Sequence, residues 1–145
     1  MNRICYKICL KLGKNTFVSA MGRELKGDFL LRYEINQKTT AKIGRLFVFD
    51  SLNNAVSFLS RLSYIGFVDE RVVFEGFAKN VGTPKYLSSE YMSARELNYY
   101  WNRKKAHKTT YYGKKAPKGT LTCESFTPYV VVHSRIMSES GTYER

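Results

Sequence analysis

Arg45-Leu46-Phe47-Val48-Phe49-Asp50-Ser51-Leu52-Asn53-Asn54-Ala55-Val56-Ser57-Phe58-Leu59 changes its apolar period in mid-course. Leu46 to Phe49 form a short continuous apolar run that stops at Asp50 and Ser51, which reads as a buried strand. Beyond Ser51 the apolar positions Leu52, Ala55, Val56, Leu59 and Leu62 follow the i, i+3, i+4, i+7 spacing of one helix face. Ser51 can cap that helix and Gly66 can end it, so the spacing predicts a helix over about 52–64.

Upstream, Ile4 to Leu12 alternates Ile4, Tyr6, Ile8, Leu10 and Leu12 with Cys5, Lys7, Cys9 and Lys11, the period of a half-buried strand. Gly13, Lys14 and Asn15 supply turn chemistry before a second β-prone run at 16–20, and a third strand fits Phe29 to Ile35. Downstream, Val72, Val73, Phe74 and Phe77 predict a central strand that Gly82 and Pro84 end. Ser93-Ala94-Arg95-Glu96 matches a capping box and predicts a second helix running to about 105. Strands are expected at 120–126 and 129–136. The pattern as a whole predicts an α+β fold: a mostly antiparallel sheet with two helices packed on one face, in one domain over 1–137, followed by a flexible tail at 138–145. With 43% hydrophobic and 14% aromatic residues, the composition can fill a core and excludes wholesale disorder.

Charge is the most unusual property. Twenty-four Lys and Arg against twelve Asp and Glu give +12, more than solubility requires of a chain this size. Between Glu96 and Glu124 there is no acid, while Arg103, Lys104, Lys105, Lys108, Lys114, Lys115 and Lys118 supply seven positive charges. Tyr111 and Tyr112 lie among them, and basic residues interleaved with aromatics suit a single-stranded nucleic acid, whose phosphates take the charge and whose bases take the rings. Tyr100 and Trp101, at helical spacing from Leu97, fit a core better than a stacking surface. A second acid-free stretch, Met1 to Arg23, carries Arg3, Lys7, Lys11, Lys14 and Arg23 and could join the same positive surface. No run reaches the roughly 18 apolar residues of a membrane-spanning helix. No signal-peptide core is evident at the amino terminus, so no membrane partner is expected and the cytoplasm is the expected compartment.

Catalytic signatures are sparse. No G-x-x-x-x-G-K-[ST] loop, G-x-G-x-x-G turn, G-x-S-x-G elbow or H-E-x-x-H occurs. His107-Lys108-Thr109 supplies half of a two-histidine phosphodiesterase pattern, but His133-Ser134-Arg135 breaks the other half. Cys5, Cys9 and Cys123 form neither a disulfide framework nor a metal-ligand spacing; thiols beside Lys7 and Lys11 could be activated, although strand cysteines are commonly inert fillers. No enzymatic activity, metal or cofactor is expected.

The residues RLFVFDSLNNAVSFL at 45–59 and PKGTLTCESFTPYVVV at 117–132 resemble a pattern of small bacteriophage accessory proteins, covering about a third of the chain. The F-x-S-x-x-x-A-x-x-F run beginning at Phe49 is also similar to ADP-ribosyltransferase-like folds, but no E-x-E or Q-x-E pair is present to carry that activity. The phage resemblance implies a setting inside an infected cell, against a host machine or defence component. Together these readings predict a non-enzymatic basic protein that engages RNA, DNA or a host nucleoprotein complex, as an accessory or counter-defence inhibitor. One alternative is a module that binds an acidic host protein surface or serves in the virion; another is a small nucleotide-binding protein or phosphodiesterase using His107.

Overall fold

The computed structural model describes residues 2–12, 14, 16–19, 22–23, 30–60, 68–84, 86–87, 92–93, 101, 114–138 and 141–144. In chain order the elements are β1 (Arg3–Lys11), β2 (Phe17–Ser19), β3 (Gly22–Arg23), β4 (Arg32–Tyr33), β5 (Thr39–Thr40), β6 (Leu46–Phe49) and α1 (Leu52–Leu59). There follow β7 (Val68–Lys79), β8 (Tyr86–Leu87), β9 (Met92–Ser93), β10 (Lys114–Lys115), β11 (Thr120–Cys123), β12 (Ser125–Ser138) and β13 (Gly141–Glu144).

Nine of these strands make one sheet whose main path runs β11-β6-β1-β7-β12-β13. β1 and β7 pair antiparallel along their length, from Arg3 opposite Ala78 to Lys11 opposite Glu70. β7 pairs along its whole length with β12, from Lys79 opposite Ser125 to Val68 opposite Ser138, with irregularities around Tyr129 and Val132. The other edge of β1 is divided: β6 takes Tyr6, and β2 takes Cys9 to Lys11 through the expected hairpin. The sheet also curls, because the stretch after β7 returns to β11 through reciprocal Gly82 and Thr122 backbone hydrogen bonds, both 2.8 Å.

Curling creates two cores. Inside the curl lie Cys5, Cys9, Tyr33, Leu46, Val48, Val72, Phe74, Ala78, Cys123 and Phe126. On the outer face, α1 lays Ala55, Phe58 and Leu59 over Ile8, Phe49 and Val73, with the Phe49 and Phe58 rings 5.4 Å apart. Gly76 permits the close passage of β12 inside the bend: an added Cβ would stand 2.5 Å from the Thr127 carbonyl and 2.8 Å from Pro128 Cα.

The strand-to-helix switch forms as its spacing predicts. Ser51 Oγ accepts from the Asn54 backbone N–H at 3.2 Å, and α1 begins at Leu52. Four expectations need correcting. The expected pair of helices on one face is not borne out: among the described residues α1 is the one helix of seven or more residues, Trp101 alone within the expected second helix is described as helical, and the fold is sheet-rich. Ser93, expected to cap the second helix, instead pairs in parallel with Arg23 in the β3–β9 contact. A capping serine already has extended backbone, so the same local geometry can serve a strand once a partner is in register. β1 is not half-buried, because its Cys5, Lys7 and Cys9 face lines the inner core while Ile4 and Leu12, on the supposed buried face, are exposed. Finally, the two strands expected at 120–126 and 129–136 divide at Glu124 instead, and the second runs from Ser125 through Pro128 to Ser138. After it, Gly141–Glu144 pairs with Arg135–Ser138.

Candidate nucleic-acid interface

Lys7 shows how the fold sorts the basic residues. It is only 2% exposed; its Nζ donates to the Phe47 carbonyl at 2.7 Å and lies 5.5 Å from the centre of the Tyr33 ring. Burial pushes its pKa down from 10.5 to about 8, against the opposing influence of the Cys9 and Cys123 thiols. Lys7 therefore does not belong to the positive surface that the amino-terminal stretch suggested. Lys11 is paired with Glu70 at 3.9 Å, whereas Arg3 and Lys14 are exposed.

Arg3 is positioned against a distant part of the chain. Its Nη2 donates to the Asp50 carbonyl at 3.3 Å, and the Asp50 N–H donates to the Gly119 carbonyl at 2.9 Å. Pro117-Lys118-Gly119-Thr120 is a tight turn closed by the Thr120 N–H on the Pro117 carbonyl at 3.0 Å. Gly119 has φ +84°, the left-handed value that the third position of such a turn requires. Asp50, held in turn by Asn54 Nδ2 at 2.8 Å, thus joins the amino-terminal basic stretch to the turn bearing the exposed Lys118.

Next to this junction the outer face of the sheet is open. Ile4 on β1 stands opposite Phe77 on β7, and they are 49% and 48% exposed. One step along, Tyr6 faces Glu75, which faces Val130 across the other edge of β7. The Glu75 carboxylate accepts from both flanking phenols, Tyr6 at 2.8 Å and Tyr129 at 2.7 Å, so three adjacent strands present aromatic rings on one surface. The hydrogen bond to Glu75 raises the Tyr6 pKa, while desolvation and the same kind of bond push Tyr129 up to about 12. Both phenols therefore remain protonated donors at neutral pH. Lys79, two residues beyond Phe77 on the same strand, is exposed at the margin.

Of the residues singled out in the sequence, Arg103, Lys104, Lys105, Lys108, Tyr111 and Tyr112 lie outside the described residues, as does His107. Lys114 and Lys115 form β10 opposite Leu87 and Tyr86. Trp101 packs on Phe47 at 5.7 Å between ring centres and closes over Gly44, where a Cβ would collide with its indole. Sequence reasoning missed Tyr6, Glu75, Phe77 and Tyr129 as a group, because only strand register unites them.

The cysteines are free and buried. Burial pushes Cys5 up to about 11 and both Cys9 and Cys123 to about 12, so they are thiols at neutral pH and the activated-thiol reading is set aside. His133 lies on β12 opposite Val73, half-buried, with its Nε2 buried and without a hydrogen-bond partner. Among the described residues no group of three or more His, Cys, Asp or Glu could hold a metal ion, and no helix is long and apolar enough to cross a membrane. Comparison with protein-family models, with curated proteins and with solved structures found no match.

Proposed function

We propose that this protein is a non-enzymatic binder of nucleic acid, acting on RNA, DNA or a nucleoprotein complex through a positive surface. The observation that carries the reading is the junction at Asp50, which brings Arg3 and the Lys118 turn together from opposite ends of a chain of net charge +12. Each phosphate neutralised by such a side chain releases condensed counterions, and that release drives association. The un-ionised cysteine thiols favour binding over nucleophilic chemistry.

The test is the salt dependence of binding to labelled single-stranded and duplex RNA and DNA. The expected result is an affinity that falls steeply with salt, with Arg3→Ala and Lys118→Ala each lowering the slope by about one. Weak binding insensitive to salt and to both substitutions would overturn the reading. The bacteriophage accessory or counter-defence setting belongs to the same proposal, and pull-down from bacterial extract tests it. Partners lost on nuclease treatment fit a nucleoprotein target, whereas partners retained after it favour an acidic protein surface.

A further inference from the structure

We infer that the open half of the outer sheet face, Phe77 and Tyr129 around Glu75, with half-buried Tyr6 at its boundary with the α1-covered core, is a stacking platform for the unpaired bases of a single-stranded nucleic acid. The inference rests on the proposed nucleic-acid reading and locates where the bases, as distinct from the phosphates, are held.

Three features carry it. The first is the placement of the rings. Phe77 and Tyr129 are 48% and 38% exposed although α1 buries the neighbouring part of the same face, and β1, β7 and β12 hold the three aromatics on consecutive strands. Adjacent strands are about 4.8 Å apart, a distance that successive bases of a splayed strand can follow. The second is preorganisation. Glu75 accepts from both phenols at 2.8 and 2.7 Å, which fixes the edge of each ring and leaves less rotamer freedom to be lost on binding. The third is charge complementarity. Exposed Lys79 borders the patch two residues beyond Phe77 on the same face of β7, and Arg3, the neighbour of Ile4 at the end of β1, is exposed and bonded to the Asp50 carbonyl beside the Lys118 turn, so phosphates flanking the stacked bases meet cations. A duplex keeps its bases inside and can use only the cations.

Glu75 separates this proposal from simple charge attraction. Removing a carboxylate from a positive surface should strengthen binding that is purely electrostatic. If its role is to hold the rings, removal should weaken single-strand binding instead.

The experiment compares wild type, Phe77→Ala, Phe77→Trp, Tyr129→Ala and Glu75→Ala for affinity to short labelled single strands, RNA and DNA, and to the matching duplexes. Circular dichroism and sedimentation of each variant accompany the titrations. Loss of single-strand affinity by about tenfold in Phe77→Ala and Tyr129→Ala is expected, with duplex affinity unchanged. Phe77→Trp should retain or exceed wild-type affinity, and Glu75→Ala should weaken single-strand binding. If wild type binds but folded Phe77→Ala and Tyr129→Ala bind both forms equally well, the platform is overturned and the electrostatic reading stands. Tighter single-strand binding by Glu75→Ala would also overturn the platform. If wild type binds neither form, both readings fall. If Phe77→Ala converts a dimer to a monomer without changing nucleic-acid affinity, the face joins two copies of this chain and the proposal fails.

Discussion

The outer face of the central sheet has two halves built on the same strands, and they differ in what covers them. Around Ile8, Phe49 and Val73, α1 seals the surface with Ala55, Phe58 and Leu59. Around Ile4, Phe77 and Tyr129 it does not. The reason is length. A helix of eight residues is about 12 Å long, whereas a nine-residue strand such as β1 extends about 30 Å, so α1 can shield less than half of the strand it crosses. An apolar side chain beyond the reach of α1 keeps its strand periodicity but loses its cover. Alternation in a strand therefore reports which face a residue occupies, and the length of the covering element decides whether that face is core or surface.

Substitutions in the two halves sharpen this contrast. Phe49→Ala, on the covered half and fully buried, should destabilise the protein by about 3–5 kcal/mol in urea unfolding, the range for deleting a core phenylalanine. A loss under about 1 kcal/mol would mean that α1 does not seal that half.

The inner face supplies the converse case, a cation where apolar residues are expected. A Lys7 pKa lowered from 10.5 to about 8 means that the unfolded chain binds this proton more tightly than the folded chain does. The penalty is complete below about pH 8, amounts there to about 3 kcal/mol, and is relieved as pH rises toward 10.5. Wild-type stability relative to Lys7→Met should therefore increase by about 2 kcal/mol between pH 7 and 9.5, read by denaturant unfolding at both values. A constant difference would place Lys7 in a solvated site.

Smaller effects complete the series. Ser51→Ala should cost about 1 kcal/mol through loss of the Asn54 N–H acceptor and should loosen the cover of the sealed half, which hydrogen exchange in α1 would report. Phe77→Ala should change stability by no more than about 0.5 kcal/mol, because half the ring is already in water. A loss comparable to that of Phe49→Ala would remove the distinction between the halves.

The sequence made some of this legible and hid the rest. The apolar run ending at Asp50, the Ser51 cap and the first hairpin depend on local chemistry, and all were readable from neighbouring residues. The burial of Lys7 was hidden because β1 is covered on its inner face and over part of its outer face, so neither set of its alternating residues could be identified as the outside. Ser93 misled because its capping spacing is local while its pairing with Arg23 is not. The aromatic surface was invisible for the same reason. Tyr6, Glu75 and Tyr129 lie in separate strands, and only the register that places Tyr6 and Val130 on either side of Glu75 assembles them.

On the proposed reading, a bound single strand lies on the uncovered half of the sheet. Photocrosslinking tests it most directly: a single-stranded oligonucleotide carrying a halogenated pyrimidine is irradiated on the intact protein, and the joined peptides are identified by mass spectrometry. Crosslinks at Tyr6, Phe77 or Tyr129, competed by unlabelled single strand and not by duplex, are the predicted result. Efficient crosslinks confined to peptides away from β1, β7 and β12 would contradict it.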